Sequence, residues 1–166
     1  VSGKTGQLIS IPVEGIYLLA SLHKDYHSLE NVFGNLGLAY QITNDIKNLM
    51  GTDGAARQGG DVLRQSPNAV VILFRDSLVN GSRQEFDEKF MQGMVCEHTD
   101  EKWMQELAIK GGELAADKIS SLLAEVEKDL NDHEYDIKPV LLPVTDYLYA
   151  ASQKINRISS TSNKAS

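Results

Sequence analysis

Apolar residues recur at helical spacing along most of this chain. From Ser28 onward, Leu29, Val32, Phe33, Leu36, Tyr40 and Thr43 fall at steps of three and four, which predicts one long helix ending near Met50 and Gly51. Gln41, Asn44, Asp45 and Asn48 share a different face of that helix and give it a polar stripe. Taken alone, such a stripe reads as the solvent-facing side of an amphipathic helix. Gly34 and Gly37 lie inside the same helix, where each costs about 1 kcal/mol against alanine, so they predict the close approach of a neighbouring helix or ligand.

The remaining pattern is helical as well. Residues 4–22, with Leu8, Ile11, Leu18, Leu19 and Leu22, predict a helix kinked at Pro12. Residues 51–66 read as a loop, because Gly51, Gly54, Gly59 and Gly60 are interspersed with Asp53, Arg57, Asp61 and Arg64. Ser66 and Pro67 then open a strongly apolar helix over 69–79, whose Val-Val-Ile-Leu-Phe run predicts burial on most sides. Ser82 is the expected cap of a shorter helix containing Phe86, Phe90 and Met91. Thr99 or Asp100 is the expected cap of a long helix with Trp103, Leu107, Leu114, Ile119, Leu122, Leu123, Val126 and Leu130 on its inner face and a bend at Gly111-Gly112. Pro139 and Pro143 bracket the start of a last helix carrying Val144, Tyr147, Leu148 and Ile155. No period-two alternation runs longer than a few residues, so the predicted fold class is all-α. One domain is expected over residues 1–156, with 157–166 a flexible tail too poor in apolar residues to pack.

Composition narrows the functional classes. The 166 residues are 42% hydrophobic and 23% charged, a globular mixture long enough to bury a core without disulfides. A net charge of -7 argues against nucleic-acid binding, which needs clustered Lys and Arg. The longest apolar run, 69–74, is too short to span a bilayer, and no basic-then-apolar segment opens the chain, so the expected location is cytoplasmic. Cys96 is the only cysteine, and His23, His27, His98 and His133 are scattered without metal spacing, so thiol and zinc chemistry are not expected.

Three polar clusters remain: Lys4-Thr5-Gly6, the Gln41/Asn44/Asp45/Asn48 stripe, and Arg57 with Asp61. Their order, Lys-Thr-Gly, then Gly-Leu-Ala-Tyr-Gln-Ile-Thr-Asn-Asp from Gly37, then Arg-Gln-Gly-Gly-Asp from Arg57, resembles the C-terminal half of a trans-isoprenyl diphosphate synthase. The resemblance rests on motifs between Lys4 and Arg75 and on pattern beyond. It implies the C-terminal part of an isoprenoid-synthase-type helical bundle around a cavity, with Mg2+ as cofactor and an allylic isoprenyl diphosphate as substrate, joined to isopentenyl diphosphate. It also implies site residues: Tyr40 and Gln41 beside the reacting prenyl group, Lys4, Thr5 and Arg57 on the diphosphate, and Asn44, Asp45 and Asn48 on metal, with Asp61 matching the aspartate after the diphosphate-binding cation.

Those residue types suit the chemistry. Ionising an allylic diphosphate leaves a carbocation and an anionic leaving group, so hard cations must absorb the negative charge and an apolar cavity must exclude water. An aromatic face can stabilise a nearby cation by about 0.5 to 2 kcal/mol.

The chain also departs from the family pattern. Asn-Asp-x-x-Asn stands at residues 44–48 where chain-elongating members carry Asp-Asp-x-x-Asp, and Ser66-Pro67-Asn68 replaces a Lys-x-Thr element. Class I terpene cyclases carry Asn-Asp-x-x-Ser/Thr-x-x-x-Glu, with which Asn44 and Asn48 are in register while Thr52 replaces the glutamate. The family's first Asp-rich motif has no counterpart in the sequence, which predicts a C-terminal fragment or a chain completed by a partner, as a homo- or hetero-dimer. Three readings stay open: a magnesium-dependent prenyltransferase, a terpene cyclase on the same fold, and a non-catalytic subunit of a heteromeric synthase.

Overall fold

In a computed structural model of the chain, the described residues are 11, 15, 29–52, 59–63, 68–92, 101–132 and 137–162. They form helices α1 (Glu30–Met50), α2 (Gly60–Leu63), α3 (Ala69–Ser77), α4 (Asn80–Gln92), α5 (Glu101–Asn131) and α6 (Lys138–Ser162), with no strand among the described residues. The all-α prediction holds. The chain divides into two compact units, one of 1–41 and 118–152, the other of 42–117 and 153–166.

In the first unit the predicted spacing becomes core. Leu29, Val32, Phe33, Leu36 and Ala39 of α1 and its lead-in are buried, as are Ile119, Leu122, Leu123, Val126 and Leu130 of α5 and Leu141 and Leu148 of α6. Burying the Val, Leu, Ile and Phe side chains among these stabilises by about 1.5 to 3 kcal/mol each against leaving them in water. Polar links add direction: Asn35 Nδ2 donates to Glu125 Oε2 at 3.1 Å, and the Ser120 and Ser152 hydroxyls lie 3.1 Å apart. Gly34 differs from its expected role, because nothing lies within 4 Å of where its Cβ would stand. Both prolines fall inside α6, Pro139 in its first turn and Pro143 further along. The helix runs to Ser162.

The second unit contains the end of α1, then α2, α3, α4 and the first part of α5. α1 ends where predicted, and its end is a paired carbonyl cap. Gly51, at φ 67°, donates its N–H to Asn48 O at 3.1 Å, and Thr52 donates to Lys47 O at 2.8 Å. Left-handed glycine just past a helix satisfies carbonyls that the helix leaves open, at no Cβ penalty. Gly59 also donates to Asn48 O, at 2.9 Å. The 51–66 segment is not all loop, since α2 lies within it.

α3 is buried on one face only. Val70, Val71 and Phe74 are covered, whereas Ile72 is 50% exposed and Val79, just beyond the helix, 76% exposed. Its N-cap is Asn68, two residues past the expected Ser66. Ser82 caps nothing, because α4 has already begun at Asn80. α3 and α4 are joined by Phe74 on Phe86, with ring centroids 5.4 Å apart, and Phe86 stacks on Phe90 at 5.9 Å. α5 runs unbroken through Gly111-Gly112. The expected capping residues Thr99 and Asp100, Cys96, the four histidines, and most of the predicted 4–22 helix including Pro12 lie outside the described residues.

An ion pair ties the same two helices at their surface. Arg75 donates to Asp87 through Nε at 2.6 Å and Nη2 at 2.7 Å. These hydrogen bonds chiefly, with charge attraction adding to them and desolvation opposing, hold the Asp87 carboxyl below its ordinary value and the Arg75 guanidinium above its own. A depressed carboxyl binds fewer protons folded than unfolded, so its contribution is complete above the unfolded value of about 3.9 and is lost as pH falls through the folded one. An NMR titration should place the Asp87 midpoint below that of an ordinary aspartate, and Arg75→Gln should move it back up. An unchanged midpoint in Arg75→Gln refutes the assignment. Both side chains are two-fifths exposed, so added salt should weaken the effect.

Candidate functional site

The polar stripe of α1 does not face solvent. Asp45 is 4% exposed and Asn48 6%, while Asn44 is half-buried. The stripe follows the predicted periodicity, but its middle turns inward. The cause is α3.

Asp45 Oδ2 accepts the Ala69 N–H at 2.6 Å, the first helical N–H of α3. Asn68 Oδ1 accepts those of Val70 at 3.0 Å and Val71 at 3.2 Å, and the Asn68 carbonyl accepts that of Ile72 at 3.2 Å. The amides that open a helix have no partner within it, and aligned peptide dipoles place about half a positive charge there. A carboxylate brought from another helix therefore satisfies both a hydrogen bond and a charge. Asn68 was readable in the sequence as an Asn directly before an apolar run, the ordinary N-cap signal. The contribution of Asp45, from 24 positions away, had no local signal.

Chemically this donor set does not fit a magnesium ion. Mg2+ takes near-octahedral oxygen ligands and relies on carboxylates plus water. The stripe offers one carboxylate, one of whose oxygens is given to a backbone amide, with two neutral amide side chains. The Asn68 Nδ2 atom, buried and without a partner among the described residues, is a hydrogen-bond donor with no lone pair for a cation. Among the described residues no group of three or more His, Cys, Asp or Glu is placed to hold a metal ion. Thr52, in the glutamate position of the cyclase pattern, turns its hydroxyl to Lys47 O at 3.4 Å and so belongs to the end of α1.

Tyr40 and Gln41 belong to the first unit. Gln41 is half-buried; Tyr40 is 37% exposed, and its ring lies against that of Tyr147 on α6, centroids 6.3 Å apart and planes at 39°. The sequence reading placed Tyr147 in the apolar pattern of the last helix, yet it is 40% exposed and paired with a candidate site residue. Lys4, Thr5 and Arg57 lie outside the described residues. Asp61 has helical backbone in α2. No described helix is long and apolar enough to cross a membrane.

Comparison with known families gives one finding. The family model described as polyprenyl synthetase matches residues 1–131, most of the chain. No curated protein and no solved structure matches the sequence.

Proposed function

Because the chain belongs to the polyprenyl synthetase family, we propose that it takes part in joining an allylic isoprenyl diphosphate to isopentenyl diphosphate. The family match over 131 residues carries this reading; the exposed ring of Tyr40, next to Gln41, supports it. In such a transfer the allylic C–O bond breaks with its electron pair on the diphosphate. The isopentenyl double bond then attacks the cation, and the released diphosphate takes a proton from the new cation, which restores an alkene. Tyr40 presents a π face to the allylic cation, and the Gln41 amide orients the diphosphate end of the reacting pair. Lys4, Thr5 and Arg57 supply donors and positive charge to the diphosphate.

Members of this family generally depend on Mg2+, whose chemistry is to hold the diphosphate and neutralise it as it leaves. Asn44, Asp45 and Asn48 do not form a site for that ion by themselves. The helix-capping role of Asp45 also favours a second reading, in which the chain is a non-catalytic subunit that completes or regulates a partner.

Incubation with dimethylallyl, geranyl or farnesyl diphosphate and Mg2+, with and without isopentenyl diphosphate, tests both. Longer prenyl diphosphates are the expected products, with Tyr40→Ala lowering kcat at least tenfold. Turnover only after a second synthase subunit is added supports the subunit reading. Hydrocarbons or alcohols formed without isopentenyl diphosphate transfer the assignment to a cyclase. Neither binding nor conversion of any of these compounds sinks the assignment altogether.

A further inference from the structure

We propose that Tyr147 forms, with Tyr40, a two-ring aromatic wall against the isoprenoid chain of the substrate, and so is a positioning residue for its hydrocarbon part. This rests on the reading of Tyr40 given above. Its evidence is the geometry of the first unit. Two tyrosines from helices far apart in sequence bring their rings to 6.3 Å, and each remains about two-fifths exposed. Aromatic pairs inside a core are normally covered; this pair remains part-exposed.

The surface continues beyond the rings. One turn before Tyr147 stands Pro143 and one further turn back Val140, on the same face of α6, and both are exposed, Val140 at 63%. At 1.5 Å per residue the face from Tyr147 to Val140 is about 10 Å long. The buried side of α6, Leu141, Leu148, Ser152 and Ile155, follows another line of positions. An uncharged, flexible hydrocarbon fits such a stripe, because it gains by burial and asks for no hydrogen bond. The stripe begins at the ring assigned to the reacting end, so the occupant is the chain attached to that end. The phenol hydroxyls have no part in this role; the rings do.

A ring that contacts the chain before and during reaction contributes equally to the ground and transition states, which appears in KM and leaves kcat nearly unchanged. Tyr147→Phe should therefore match the native protein within about twofold, while Tyr147→Ala should raise KM for farnesyl diphosphate about tenfold with kcat nearly constant. The increase should be smaller for dimethylallyl diphosphate, whose chain does not extend along α6. Calorimetric binding of farnesyl thiodiphosphate, which does not ionise, should weaken in the same proportion. Tyr147→Leu, which keeps apolar bulk without a ring, guards against loss of folding in the alanine variant. With 3-fluorotyrosine incorporated, the 19F resonance of Tyr40 should shift in Tyr147→Leu and stay in place in Tyr147→Phe. A native KM for every chain length in Tyr147→Ala or Tyr147→Leu overturns the proposal, as does a Phe variant as impaired as the Ala variant. If native protein binds no allylic diphosphate, the assignment of the site and this proposal fall together. If it binds and Tyr40→Ala alone is impaired, only the role of Tyr147 is lost.

Discussion

Asp45→Ala should lower the stability of the chain by about 2 to 3 kcal/mol in urea, whereas Asp45→Asn should cost about 1 kcal/mol or less. The carboxylate oxygen sits 2.6 Å from the Ala69 amide at the positive end of α3. Hydrogen bonds to a charged group are worth about 1.5 to 3 kcal/mol net, and alanine removes the acceptor while leaving a part-buried donor unpaired. Asparagine keeps an oxygen at the same reach and loses only the charge, a difference of about 0.3 to 1 kcal/mol at a helix terminus. The order of the two variants is the discriminating feature. A residue kept only to bind a cation would show the reverse sensitivity: no loss in metal-free buffer, and a gap between native and variant that opens when Mg2+ is added. Equal stability of native and Asp45→Ala protein, with and without EDTA, refutes the capping role.

Gly111→Ala should also destabilise, by about 1 to 2 kcal/mol net, against the usual preference of a helix for alanine. A Cβ there would stand 2.7 Å from Val70 Cγ1 and 3.6 Å from the Val70 carbonyl oxygen. Valine is stiff at χ1, so its methyl cannot swing aside as the end of a long side chain would, and overpacking of this kind costs about 1 to 3 kcal/mol. Replacing a helical glycine returns at most about 1 kcal/mol. In the double variant Gly111→Ala, Val70→Ala, the two losses should be markedly less than additive, because the first methyl occupies space the second has vacated. Strict additivity in the denaturation midpoints places the cause elsewhere.

These two residues mark the limits of what the sequence discloses. Periodicity located α1 to within two residues at its start and predicted the buried line from Leu29 to Leu36, because burial of one face requires that spacing whatever the partner. It assigned a bend to Gly111, whose role is the approach of α3, and close packing to Gly34, which has open space. A glycine in a helix advertises missing volume, and only the neighbour decides whether the volume is used. The candidate site divides in the same way. The order of three motifs, at residues 4–6, 37–45 and 57–61, was enough to identify the family, since residue types in order survive in the chain as written. The direction of Asp45 was not legible, because a carboxylate serves a metal ion or a helix terminus equally well and the competitor lay across the loop. Tyr147 resembled any apolar helical residue until its ring was found on Tyr40.

The end of α1 has a consequence for how this chain tolerates change. The Asn48 carbonyl receives the amides of both Gly51 and Gly59, so a single oxygen gathers the two ends of the segment between them. The two hydrogen bonds use the backbone oxygen of Asn48, so a change of side chain at position 48 leaves them available, whereas a β-branched residue at Gly51 or Gly59 meets the left-handed backbone, φ 67° and 65°, from which each amide is offered.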